Sequence, residues 1–351
     1  MKYVFTLLVL SAVLFSACQQ KKTEEEQKST EEIASTFDST ALPTTKVEMD
    51  ESQAFILKYN FIPGESFRYR MTAISQSEQS IETDTSMTAT MDQTLIYVIN
   101  FKTLSLDKDS IAELQCTFAS VNLKANVNGT EFSYQSGSLI DSTEKVKYAE
   151  YESFINNPFN IRVGKNGELI EIYKTDKIMN RFLSLRGLTD SLSVQDKAMF
   201  KEDISNGSIK PLLVQILREV PEHPLAKDST WSYKRESLPV MIFKIDYTNL
   251  YKIEKFEMLG DDKIAIVDGV VQTKVNGNQT YSERGINYHF DKPITSASGK
   301  IYFNLDKGLI QKSRSQTRME TSYQMEMPTP QGTKKGSARE ITSNTNVLEL
   351  L

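Results

Sequence analysis

IAELQCTFASVNLKANVNGTEFSYQ, residues 111–135, carries two signals that together set the fold class. Leu114, Cys116 and Phe118 alternate with polar neighbours, as a strand with one buried face requires, because successive side chains point to opposite sides of a sheet. After Ala119 and Ser120 the apolar positions change parity and continue as Val121, Leu123, Ala125 and Val127. An extra residue in the strand, a β-bulge, does this, and so does a change of sheet. The run then meets Asn128-Gly129, the pair suited to a type I′ hairpin turn, whose two central residues both need positive φ. The stretch predicts a long, irregular antiparallel strand folding back on itself.

The same alternation recurs at Leu95 to Leu104, Met241 to Met258, Lys263 to Val275, Lys300 to Leu305 and Leu309 to Met325. Three landmarks also repeat in order. Ser66-Phe67-Arg68-Tyr69-Arg70 resembles Thr230-Trp231-Ser232-Tyr233-Lys234, Val127-Asn128-Gly129 returns as Val275-Asn276-Gly277, and Lys165-Asn166-Gly167-Glu168-Leu169-Ile170 corresponds to Asp306-Lys307-Gly308-Leu309-Ile310. Two copies of one meander would produce that order, each with an Asn-Gly hairpin.

Between the copies the apolar period lengthens to that of a helix. Ile178, Met179, Phe182 and Leu185 share one helical face, and Ser193-Val194-Gln195-Asp196 has the form of a capping box. Ser208 is placed to cap a third helix, with Pro211 in its first turn and Leu212, Leu213, Ile216, Leu217 and Val220 on its apolar side; Pro221 and Pro224 end it. Such stripes must be covered, and a neighbouring sheet is the available surface. The expected fold is α+β and β-dominated, with largely antiparallel sheets in two related meander units and a short helical insertion packed on the sheet.

The front of the chain supplies an address. Lys2, an apolar stretch from Tyr3 to Phe15 and the small residues Ser16 and Ala17 form a secretory signal peptide, too short in its apolar run to span a bilayer. Phe15-Ser16-Ala17-Cys18 resembles a bacterial lipobox, which implies that Cys18 becomes the first mature residue and carries palmitate-like acyl chains; a cysteine at the end of a simply cleaved peptide, or in a disulfide, is the alternative. The polar run that follows cannot bury enough surface to order itself. The expected organisation is a signal peptide at 1–17, a lipidated flexible tether at 18–51, a first β unit at 52–174, a helical insertion at 175–225 and a second β unit at 226–351. If Cys18 holds lipid, Cys116 has no disulfide partner and reads as a small buried hydrophobe.

Signal peptide, lipobox, polar tether, the strand Gly64 to Tyr69, the segment Pro221 to Trp231 and the late Gly299 to Asn304 followed by Gly308-Leu309-Ile310 are together similar to a family of uncharacterised Bacteroidota lipoproteins. That resemblance implies an outer-membrane lipoprotein, periplasm-facing or at the cell surface. It implies no activity, substrate or cofactor.

Chemistry is sparse. The chain of 351 residues has a net charge of −5 and no basic stripe, which argues against nucleic acid as a partner. It has two histidines, His223 between prolines and His289 in an alternating strand, and none of the HExxH, GxSxG, P-loop or CxxC patterns. No catalytic, metal or cofactor residue is assigned. Asp261-Asp262 and Asp107-Lys108-Asp109 read as turns, the second with a calcium site as its alternative. Trp231, matched by Phe67 in the repeat, reads as a recurring core position.

The expected role is a lipid-anchored envelope lipoprotein with a non-catalytic binding or assembly role, holding an apolar small molecule between sheet and helices, with Phe182, Leu183, Leu213 and Leu217 as wall candidates. A carboxylate-dependent enzyme acting on envelope glycans, and a structural or adhesive protein joined to another envelope protein, are the alternatives. Ser39, Ser110, Ser142, Ser191 and Ser229 follow aspartates in a pattern resembling a Bacteroidota O-glycosylation motif, with turns and helix caps as the other reading. Asn128-Gly129-Thr130 is an N-glycan sequon by pattern alone.

Overall fold

The computed structural model describes residues 42–46, 53–189, 191–330 and 332–351. The expected signal peptide, Cys18, Ser39 and most of the expected tether lie outside these residues. One antiparallel sheet of sixteen strands organises the rest. Its first half consists of β2 (Ser66–Glu82), β3 (Ser86–Leu106), β4 (Ala112–Val127), β5 (Thr130–Gln135), β6 (Phe159–Val163) and β7 (Leu169–Tyr173). The second half holds β8 (Thr230–Lys234), β9 (Leu238–Val240), β10 (Phe243–Leu259), β11 (Asp262–Asn276), β12 (Thr280–Glu283), β13 (Ile286–Phe290), β14 (Ile294–Asn304), β15 (Leu309–Thr329) and β16 (Gly332–Leu350). The order β10-β11-β14-β15-β16-β2-β3-β4-β6-β7 makes the sheet continuous, with β16 paired to β2 across the junction of the halves. A two-residue strand, β1 (Thr45–Lys46), adds to β10.

The opening stretch folds as a bulged hairpin. Val98 pairs with Ser120 and Ile99 with Phe118, so Ala119 is the extra residue that flips the apolar parity. Asn128 and Gly129 have φ of 51° and 82° and close the β4–β5 turn. Asn276-Gly277 does not close a second hairpin. β11 ends there, and the hairpin forms instead between β12 and β13 at Arg284-Gly285, whose φ values are 51° and 80°. The reason is local crowding: a Cβ on Gly277 would stand 3.0 Å from the Ile242 carbonyl oxygen, so this glycine permits close backbone approach.

Phe67 pairs directly with Phe101 of the next strand, the rings stacked at 5.0 Å, and Trp231 pairs with Tyr251, stacked at 5.3 Å. The turn glycines Gly167 and Gly308 are also placed alike. Both lie against one extended strap, residues 57–61, where Tyr59 N donates to Lys165 O and Asn60 N donates to Gly308 O, each at 3.1 Å. The strap therefore joins a turn from each half of the sheet.

The helical segments are α1 (Ser142–Lys147), α2 (Ala149–Phe154), α3 (Asp176–Leu185), α4 (Val194–Asp203) and α5 (Lys210–Ile216). The capping box at Ser193 and Asp196 forms as expected. Ser208, in contrast, caps nothing: α4 runs through a π-helical segment, Ile204–Ile209, into α5, and Ser208 Oγ donates to Glu150 Oε1 at 3.2 Å. Pro211 has no N–H to give a helical ladder, and the widened turn just before it accommodates the missing bond. Ile178, Leu183, Ile209, Leu213, Ile216 and Leu217 enter one core cluster with Tyr69, Ile99, Phe118 and Ile161 of the first half and Ile253, Val267, Phe303 and Ile310 of the second. The helices thus plug one end of the sheet. Beyond the plug the long strands continue as a single layer.

Candidate functional site

That single layer has two unlike faces. Residues directly opposite each other in an antiparallel pair share a face, so rows can be followed across the sheet. One inner row runs Trp231, Tyr251, Gly269, Gly299, Ser315, Asn346, Ala73, Leu95, Leu123 and Tyr134. The next runs Ala297, Thr317, Asn344, Ser75, Gln93, Ala125 and Phe132, and a third runs Thr295, Met319, Thr342, Ser77, Met91, Val127 and Thr130. None of these positions carries a charge. The outer rows that alternate with them contain Asp268, Lys300 and Arg314, then Arg318 and Asp92, then Glu320 and Glu78.

A difference in exposure accompanies this segregation. Along β3 the inner Ala89, Met91 and Gln93 are partly shielded while the outer Thr88, Thr90 and Asp92 are exposed, so the inner side is the more sheltered of the two over this stretch. Small residues keep its floor low. Gly269 and Gly299 face each other across β11 and β14, and the Tyr251 ring lies over Gly269, within 3.3 Å of where a Cβ would be. Toward the far end the face becomes more aromatic: Phe290 and Tyr323 rings meet at 5.2 Å, and Tyr288 packs against both. Ten strands at a spacing of about 4.8 Å make the first row roughly 43 Å wide. The surface is a shallow trough, neutral over these three rows and with Glu340 in the next, its lower end closed by the helical plug.

Of the expected wall residues, Leu183, Leu213 and Leu217 are core side chains with at most 2% exposure, and Phe182 packs on Phe200 at 5.0 Å. A cavity at the contact of helix exit and sheet has a volume of about 10 Å³ and is lined by other residues, among them Arg218, Trp231 and Tyr251. That is room for one water, not for an acyl chain. Arg218 Nε and Trp231 Nε1, both buried without a protein partner, are the donors such a water would accept from.

The remaining sequence candidates are spread apart. His223 is exposed beside Glu222, and His289 is exposed on β13, on the face opposite Tyr288 and Phe290. Asp107 Oδ1 accepts from the backbone N–H groups of Asp109 and Ile111, which makes that segment a turn. Asp262 is held by Asn304 and Lys307, bonds that keep its carboxyl below the usual range. Among the described residues no three or more His, Cys, Asp or Glu side chains converge as metal ligands would. Cys116 is fully buried, and burial pushes its thiol well up. Ser110, Ser142 and Ser191 are exposed, Ser142 beside the helix cap Asp141, whereas Ser229 Oγ accepts from Ala226 N within a turn.

Sequence reading missed a half-buried carboxylate. Glu150, on α2, is held above the usual carboxylate range by burial, against which the bond from Ser208 works. A folded-state value above the unfolded one means that the folded chain binds the proton more tightly, so stability falls as pH rises through the window above the ordinary Glu value. Glu150→Gln is expected to flatten that part of the profile and raise the melting temperature at neutral pH, as thermal unfolding across pH will show.

Residues 109–310 match the family DUF6263, described as a family of unknown function. The chain belongs to this family. The match runs from β4 to the first two residues of β15 and so takes in the helical plug and part of each half of the sheet, with β2, β3 and β16 outside it. No curated protein matches the sequence. Among solved structures, lipovitellin, described for its lipid–protein interactions, aligns with 12% identity and a TM-score of 0.41 over 83% of this chain. The chain spans 25% of the length of that relative. OccK5 (OpdH) from Pseudomonas aeruginosa aligns at 8% identity and a TM-score of 0.19, covering 82% of this chain and 99% of that one. An outer membrane channel from Pseudomonas putida F1 gives 6% identity and 0.17, covering 84% and 97%. DUF6263 thus has a described architecture here without a described activity.

Proposed function

We propose that the chain is a lipid-anchored envelope protein, attached through Cys18 and outer-membrane in location, whose role is to hold an apolar ligand such as an acyl chain on the inner face of its sheet. The observation that carries this reading is the segregation of charge: three successive inner rows hold none, while the outer rows between and beside them hold many. Keeping a broad face uncharged while the reverse side of the same strands is charged favours a ligand that would lose nothing by leaving water. Met91, Met319 and Val127 supply aliphatic contact above the core residues Leu95 and Leu123, and the neighbouring glycines, serines and alanines leave space above the floor. The ligand is placed above the plug instead of among Phe182, Leu183, Leu213 and Leu217, because the latter pack as core.

We also read the body as two related units, 52–174 and 226–351, with 175–225 inserted between them. The matched Phe67–Phe101 and Trp231–Tyr251 pairs and the matched contacts of Gly167 and Gly308 with the strap support this; on this reading the differing hairpin positions are a point of divergence between the copies.

Cys18→Ala separates attachment from ligand holding. The variant is expected to leave the membrane fraction entirely, and retention there would overturn the lipoprotein reading. Because it carries no lipid of its own, any acyl species released from the soluble variant and seen by mass spectrometry comes from the trough. A variant that is lipid-free and takes up no fatty acid from solution would refute the ligand reading alone.

A further inference from the structure

The outer face of the sheet has a concavity, among the described residues, that the inner-face ligand does not use. It is an open groove of about 320 Å³ at the Ala119 bulge, with Ile96 and Val98 of β3 lining it between Arg70 of β2 and Asn122 of β4, and Gln135 and Ser136 beyond. Its volume falls at the lower end of the range for small-molecule sites. Two of its polar groups have unused capacity. Asn122 Oδ1 is buried without a hydrogen-bond partner, a condition that costs a folded protein free energy and is uncommon in native structures. Arg70 Nε donates to Glu349 Oε2 at 2.9 Å, which uses one of the five N–H donors of a guanidinium; Lys312 Nζ stands 3.7 Å from Oε1 of the same carboxylate.

We propose that this groove binds an N-acetylated sugar residue. A neutral ligand suits the groove, whose one charged lining residue, Arg70, is already paired to a carboxylate. It must offer a donor to Asn122 Oδ1 and an acceptor to the Arg70 guanidinium, and it must cover aliphatic side chains between the two. An acetamido group does all three: its N–H is the donor, its carbonyl the acceptor, and its methyl meets Ile96 and Val98. Arg70 pairs with Val98 and Asn122 with Ile96, so the two stand two strands and two residues apart, about 12 Å between backbones, a gap that their side chains and a sugar ring with its acetamido arm can bridge. Gln135 and Ser136, each able to donate and accept, suit the ring hydroxyls. Asn122 is itself only half-buried, so a turn of its amide brings the oxygen to the ligand.

Titration of the full soluble Cys18→Ala protein with N-acetylglucosamine, followed by methyl NMR shifts of Ile96 and Val98, tests this. Saturable shifts with N-acetylglucosamine and none with glucose are expected. Equal response to both sugars, or to neither, overturns the proposal. Asn122→Ala should weaken binding about tenfold, the order of one hydrogen bond to a buried acceptor, while leaving the melting temperature unchanged or higher, because it removes an orphaned group. A lower melting temperature would mean that Asn122 serves the fold, and would also overturn the assignment.

Discussion

Gly308→Ala is expected to destabilise the protein by about 2–5 kcal/mol, from a left-handed backbone penalty of about 1–2 and an overpacking cost of about 1–3. Gly308 has φ 62°, and a Cβ there would stand 2.5 Å from Asn60 N and 2.6 Å from Asn60 Cβ. Both opposing atoms belong to the strap, whose amide at Asn60 donates to Gly308 O. The strap can move away only by giving up that bond and the burial of Tyr59, whose hydroxyl donates to Arg218 O at 3.0 Å. Gly285→Ala is the control: φ is 80°, and nothing lies within 4 Å of its Cβ position. It should show the backbone penalty alone. Urea unfolding of the two variants decides the matter, and equal losses would mean that the strap contact contributes nothing. Gly167→Ala should resemble Gly308→Ala, since its Cβ would stand 2.4 Å from Tyr59 Cε2.

The strap explains part of what sequence could and could not reveal. Gly167 and Gly308 are recognisable as turn residues because each precedes an apolar strand. What each turn touches depends on residues 57–61, whose alternation of Leu57, Tyr59 and Phe61 with Lys58 and Asn60 marks an extended segment with one buried side but does not say which turns it meets. β4 was legible down to its bulge because burial alternates along it, and the α3 and α4 starts were legible because Ile178-Met179-Phe182 and Ser193-Asp196 are local signals. β16 and the outer half of β2 were not. Runs such as Ser75-Gln76-Ser77-Glu78-Gln79-Ser80 are polar at every position, because neither face of the single layer is packed against another element there, so the apolar alternation that marks a half-buried strand is missing. The inner face was hidden for the same reason. Its neutrality is a property of seven to ten strands in register, and no one strand displays it.

Charge placed on that face should abolish ligand holding without harming the fold. Asn344 and Ser343 are adjacent on β16, half-buried to a similar degree, and point to opposite sides: Asn344 sits between Thr317 and Ser75, Ser343 between Arg318 and Gln76. Asn344→Lys puts an ammonium under an apolar ligand with no carboxylate in its row. Covering that charge without a partner costs more than about 3 kcal/mol, so uptake should fall about a hundredfold or more. Ser343→Lys adds the same side chain to a face already rich in ions and should leave uptake unchanged. Because both positions reach solvent when no ligand is bound, both variants should unfold within about 0.5 kcal/mol of the parent chain. The readout is fatty-acid uptake by the soluble Cys18→Ala background. If the two lysines act alike, the uncharged face is not where the ligand lies; if only the inner one acts, the difference is a property of the face, since chemistry, strand and depth are shared.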